Sequence, residues 1–176
     1  MAKLEILPKK WDELDTEDPK CEFRINIDIL NEAFGVGRGM YAKAVYPDKK
    51  NTYIQSNRGK CIIWMPKLYG NSSNWRNVLS EDGSELYEVA DNGRQEDWMT
   101  AVDDTDERIL RIIFVKPDAK SPYRFVGVFE NGKMDFCNHT YRRIATKIRL
   151  IGNPVTSIKL LDDDKKIKKA RTVVKA

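Results

Sequence analysis

The sequence predicts a mostly β fold of the α+β class, a small curved sheet or barrel with one early short helix. Three observations carry this. Apolar stretches of about five to eight residues recur between turns rich in Gly, Asn and Asp. Asn131-Gly132, the dipeptide a tight hairpin prefers, stands between two such stretches. Helical spacing is confined to one early segment, where Ile29, Leu30, Ala33 and Phe34 recur and Gly35 supplies a stop.

Taken in order, residues 1–20 are polar and acidic toward Pro19 and read as a loose lead-in anchored by Trp11. A domain over 21–153 then opens with a short strand running into a helix of about two turns, which ends at Gly35. After the GVGRG loop at 35–39 come Met40–Tyr46, Thr52–Gln55 and Cys61–Met65, strand-like and separated by PDKKN and SNRG turns. Residues 66–83 read as a long loop with a helical turn at Asn74–Leu79, and SEDG at 80–83 is a strong turn before a strand at Glu85–Val89. Ile109–Val115, Tyr123–Glu130 and Met134–Phe136 are strands, the last two joined by the Asn131-Gly132 turn. Tyr141–Leu150 closes the sheet with Arg142, Lys147 and Arg149 near its wet edge, and 154–176 is a basic tail or frayed helix.

Composition narrows the class. With 176 residues, 41% hydrophobic and 33% charged, the chain fits one soluble domain. No apolar run approaches the roughly 18 residues a membrane helix needs, and the charged start MAKLEILPKKWDELD does not read as a signal peptide. Cys21, Cys61 and Cys137 are widely spaced and form no CxxC pair, which argues against a zinc ribbon and for a reducing, cytoplasmic setting. The net charge of +4 resides in residues 154–176, leaving 1–153 with none.

Within that neutral stretch the charges are segregated. Residues 31–79 carry eight Lys/Arg against Glu32 and Asp48; 80–107 carry eleven Asp/Glu against Arg94; 108–153 carry ten Lys/Arg against Asp118, Glu130 and Asp135. Basic blocks interleaved with Trp64, Trp75, Tyr87 and Trp98 suit a polyanion bearing flat bases. Trp75 and Trp98 lie in polar contexts, NSSNWRN and QEDWMT, where each is either a stacking wall or a loop anchor tucked into the core. Trp64 in CIIWMP reads as a buried strand residue. A flipped base needs aromatic walls and hydrogen-bonding groups for its Watson–Crick edge. Asp91, Asn92 and Asp97 beside Tyr87 and Trp98 are of that type.

Other chemistries have thinner support. Asp103, Asp104, Asp106 and Glu107 are dense enough for a magnesium site, but no acidic-then-ExK spacing follows, and a solvated acidic turn is the plainer reading. His139 is the sole histidine, so nucleophilic catalysis would rest on it, with Cys137 as its partner; a turn or surface histidine is the default. GVGRG lacks a GK[ST] step and is no nucleotide loop, though its backbone and Arg38 suit a phosphate.

The order FRI, LNEAFG, GRGM, then W-x-N-x-L-S-x-D-G-S-x-L-Y-x-V-A-D-N-G, D-W-M, RIIFVK and YRFVGVFE resembles the modification-sensing modules of bacterial modification-dependent restriction endonucleases. These are similar to SRA-type and other PUA-like β-barrels that extrude a modified base into an aromatic pocket. The resemblance covers roughly 23–150, with Gly39-Met40 after the helix, Trp75 before Tyr87, Asp97 at an acidic step and Phe125–Phe129 as a closing strand. Where the family has a "YTGEG"-like segment this chain has YEVADNG, and Glu96-Asp97 replaces a "GD" step.

The expected function is a DNA-binding module that senses a modified or flipped base without catalysis of its own and needs no cofactor or metal. Trp75, Tyr87 and Trp98 would stack, Asp91 and Asp97 would read the base edge, and Arg38, Lys43, Arg76 and Arg94 would hold phosphates. DNA is the expected partner, with a nuclease or other defence protein beside it and no membrane. The alternatives are a phage or mobile-element protein inhibiting a host defence enzyme, whose acidic block imitates nucleic acid, and a small metal-dependent nuclease.

Overall fold

The computed structural model describes residues 9–36, 44–45, 53–70, 75–90, 109–134 and 138–161. They form a mixed sheet, as the mostly β expectation requires. Its strands are β1 (Glu13–Asp15), β2 (Glu22–Phe23), β3 (Ala44–Val45), β4 (Ile54–Ser56), β5 (Gly59–Trp64) and β6 (Trp75–Leu79). There follow β7 (Glu85–Ala90), β8 (Leu110–Val115), β9 (Tyr123–Met134), β10 (Asn138–Ala145), β11 (Lys147–Ile151) and β12 (Ser157–Leu160). The main path runs β1-β11-β12-β4-β5-β8-β9-β10-β7-β6, with β2 added to β9 and β3 to β5. The pairs β4–β12 and β5–β8 are parallel and the rest antiparallel.

The helical segment among the described residues is short. A turn of α-helix α1 (Asn26–Asp28) widens into a π-helical turn (Ile29–Ala33) and stops at Gly35, whose φ of 67° lies in the left-handed region. It packs Ile29, Leu30, Ala33 and Phe34 into the larger core.

Strand β8 is buried along its whole length. A strand covered on both faces needs apolar residues at every position, which RIIFV nearly provides. Ile112 and Phe114 face the larger core, with Phe23, Phe34 and Phe125 around Phe114 at centroid distances of 5.6, 6.1 and 5.5 Å. Ile113 and Val115 face a second cluster with Trp64, Leu86, Val126, Phe129 and Tyr141. Neighbouring β9 is bulged against both β8 and β10, and such irregularities bend a strand and raise its twist.

Several local expectations change. Asn74–Leu79 contains a strand, not a helical turn: β6 pairs with β7 from Trp75↔Ala90 to Leu79↔Leu86. Cross-strand pairing outweighs weak helical spacing in so short a segment. Asn131-Gly132 is not a hairpin turn, because β9 runs through it to Met134. Tyr141 pairs Asn131 while His139 pairs Met134, so the extra residue is a bulge. A Cβ on Gly132 would sit 2.8 Å from the Thr140 carbonyl oxygen, so glycine here permits a close strand approach.

The sheet also reaches beyond 21–153. Glu13–Asp15 pairs with β11, with Leu14 buried, and Ser157–Leu160 is a strand between β11 and β4. Trp11 packs on Phe23 at 5.8 Å, as an anchor should. The 80–83 turn forms as expected, with Asp82 Oδ1 accepting from the Ser80 hydroxyl at 2.9 Å and the Ser84 N–H at 3.0 Å.

Phe114 joins the aromatic cluster from the most buried strand. Phe114→Ala should lower the unfolding free energy by about 3–5 kcal/mol, read from urea denaturation; a loss below about 1 kcal/mol would mean this junction is not tightly packed.

Candidate nucleic-acid interface

Strands β6, β7 and β10 lie side by side, and their register builds two rows on one face. Asn77, Glu88 and His139 form one row; Leu79, Leu86 and Tyr141 form the next. Glu88, His139 and Tyr141 are all buried, and so is Arg111 of β8. Buried polar groups are tolerated when they are hydrogen-bonded, as Glu88, His139 and Tyr141 are. The Tyr141 hydroxyl donates to Glu88 Oε1 at 2.5 Å and lies 3.1 Å from His139 Nδ1. His139 Nε2 is 3.1 Å from Asn131 Oδ1.

Proton counting constrains this chain of contacts. The Tyr141 hydroxyl has one proton and gives it to Glu88, so its oxygen accepts from His139 Nδ1–H. With Asn131 presenting Oδ1, Nε2 donates; with the Asn131 amide turned over, Nε2 accepts.

Aromatic surface adjoins the polar groups. The His139 ring stacks on Tyr141 at 4.2 Å, and Trp64 lies 5.1 Å from Tyr141. The Arg111 guanidinium carbon sits 5.0 Å from the Trp64 ring centre and 4.8 Å from that of Tyr141, cation–π distances in a dry setting. A carboxylate, an imidazole, an amide and a guanidinium among flat rings can supply both donors and acceptors to a heterocycle.

The expected site residues fall differently. Arg38, Lys43, Asp91, Arg94, Asp97 and Trp98 lie outside the described residues, as do Cys137 and the Asp103, Asp104, Asp106 and Glu107 group. Trp75 opens edge strand β6 opposite Ala90. Arg76 is exposed on β6. Tyr87 alternates with Leu86 and Glu88, so it faces away from the buried cluster, hydrogen-bonded to Glu85. That bond to Glu85 raises the Tyr87 phenol above its ordinary range.

The default of a surface histidine is overturned: His139 is 1% exposed, inside β10. Trp64 is buried as expected. Glu88, Arg111, Asn131 and Tyr141 were not among the expected site residues. Period-two alternation from Leu86 was the available signal for Glu88. Arg111 was hidden at the head of an apolar run.

Two thiols take no part. Burial pushes Cys61 up to about 12 and raises Cys21 as well. Among the described residues no group of His, Cys, Asp and Glu is arranged to hold a metal, and no helix is long and apolar enough to cross a membrane.

The mostly β architecture is consistent with an SRA-like module. The sequence matches the SET and RING associated (SRA) domain over residues 9–150, and the chain belongs to that family. A search of curated proteins finds no match. Among solved structures the chain is similar to the 5-hydroxymethylcytosine-specific restriction enzyme AbaSI, with 18% identity and a TM-score of 0.48. The similarity covers 78% of this chain and 42% of that one, so the chain spans less than half the length of that enzyme.

Two outcomes follow. Tyr141→Phe removes the hydroxyl between Glu88 and His139 and should cost about 1–3 kcal/mol of stability; an unchanged denaturation midpoint would mean the hydroxyl contributes nothing. Because a raised pKa keeps a thiol protonated, maleimide at pH 8 should leave Cys21 and Cys61 unlabelled in the native protein and label both after unfolding, as peptide mass mapping would report.

Proposed function

We propose that this protein senses a modified base in DNA by drawing it out of the duplex, and performs no catalysis itself. The observation that carries the reading is the buried cluster of Glu88, Arg111, Asn131, His139 and Tyr141 beside Trp64, inside the range matched to the SRA family. Such a face favours a flat, polar ligand over an apolar one, because its groups are already held in position.

Glu88 is the acceptor suited to an exocyclic amine, and Arg111 the donor suited to a carbonyl. Trp75 and Trp98 supply stacking surface, and Asp91 and Asp97 add acceptors for the base edge. Tyr87, on the outer face of β7, belongs with Arg76 to the surface beside the duplex. Arg38, Lys43 and Arg94 complete the phosphate contacts. Strand cleavage, where the module serves it, comes from a separate nuclease domain or partner in the cytoplasm.

Fluorescence anisotropy on matched duplexes carrying cytosine, 5-methylcytosine or 5-hydroxymethylcytosine, at two salt concentrations, tests this. The expected result is preference for one modified duplex, and a loss of about 1–3 kcal/mol in Trp98→Ala or Trp75→Ala. Equal affinity for all three duplexes would sink discrimination among these cytosines. The Glu88→Gln variant should narrow the preference while leaving salt dependence intact, since Glu88 contacts no phosphate in this reading.

A further inference from the structure

Where β8 gives way to β9, a cleft of about 470 Å³ opens between the β2 segment and the connection that follows Val115. Arg24, Lys116 and Lys120 line it against one carboxylate, Glu22. The nearby Asp118 is occupied by its own loop. Its Oδ1 accepts the N–H groups of Lys120 and Ser121 at 2.9 and 2.8 Å, and its Oδ2 accepts the Ser121 hydroxyl at 2.9 Å. These bonds, the Ser121 hydroxyl first, hold the Asp118 carboxyl below its ordinary range. Lys116 Nζ donates to the Ser121 carbonyl at 2.7 Å and stands 5.9 Å from the Tyr123 ring. The connection is thus fixed before any ligand arrives.

Among the described residues, neither Arg24 nor Lys120 has a side-chain hydrogen bond or ion pair. Three cations line this concave surface against Glu22, and with Asp118 beside Lys116 counted the balance stays positive, which focuses a positive field. The apolar lining is limited to Ala119 and Pro122, too little for the hydrophobic centre of a protein interface. A phosphate chain needs no such centre.

We propose that this cleft binds the phosphodiester backbone of DNA, as a contact separate from the base-reading face. Strand β8 joins the two places. Arg111 lies near its start and Lys116 just past its end, about 16 Å apart at about 3.3 Å per residue. One helical turn of duplex, about 34 Å, exceeds that span. Only the second half of the proposal, that the same duplex occupies both places, rests on the base-reading function.

The test compares the wild-type chain with Arg24→Glu/Lys120→Glu in anisotropy titrations. The probes are an unmodified duplex and one carrying a single 5-hydroxymethylcytosine, across a salt series. The variant should lose at least about tenfold in affinity for the unmodified duplex at low salt. Its log–log salt slope should flatten by about 1.8, as expected for two lost phosphate contacts. The affinity ratio between the two duplexes should stay the same.

Arg24→Ala/Lys120→Ala, which adds no new charge, should fall between the two, with thermal unfolding unchanged. A variant that matches wild type in affinity and slope overturns the proposal, and so does a wild-type chain with no salt-sensitive binding to either duplex. If wild type binds both duplexes equally and the variant still flattens the slope, base reading falls and the cleft stands.

Discussion

The burial of β8 on both faces is the constraint on which the rest depends. A strand with one wet face needs only a single layer against it, whereas β8 needs two. The larger core supplies one through the aromatic group around Phe114, and the β6, β7 and β10 side supplies the other through Trp64, Leu86 and Tyr141. The polar cluster lies at the margin of that second layer. Its position is therefore a by-product of how the central strand is covered, which is why site and core share Trp64 and Tyr141.

That sharing has an energetic side. Glu88, Arg111 and His139 would cost several kcal/mol each if desolvated alone. They are tolerated because the Tyr141 hydroxyl, the Asn131 amide and two aromatic faces compensate them in place. Well-packed hydrocarbon of similar volume in such a place is often neutral or stabilising by comparison. Keeping polar groups at this depth fixes them in one orientation.

Much of the architecture was legible because it depended on local chemistry. The apolar run before Lys116, the alternation of LYEV and the Gly35 stop each name their own element. Asn131-Gly132 misled because a hairpin dipeptide and a bulge glycine look alike in sequence; only the pairing of Tyr141 with Asn131 separates them. The strand at Ser157–Leu160 was hidden by the charges after it, although Ile158 and Leu160 alternate inward. The site was less legible than the fold. Its polar members come from β7, β8, β9 and β10, and no spacing along the chain announces that they converge. Tyr87 was conspicuous as an exposed-looking aromatic, while Glu88 beside it took the inward position.

The parallel pairing of β5 with β8 has an evolutionary corollary. Cys61 pairs with Leu110 and Trp64 with Ile113, so the chain leaves the middle of the sheet and returns to the strand next door. Everything between those strands is an excursion whose two ends are clamped by the most buried part of the molecule. Lengthening such an excursion adds little closure entropy, since each doubling costs about 0.6 kcal/mol. Insertions and exchanges can therefore accumulate there while the clamp stays intact. One scaffold could acquire new preferences by changing the connections around β6 and β7, which themselves stay to cover β8.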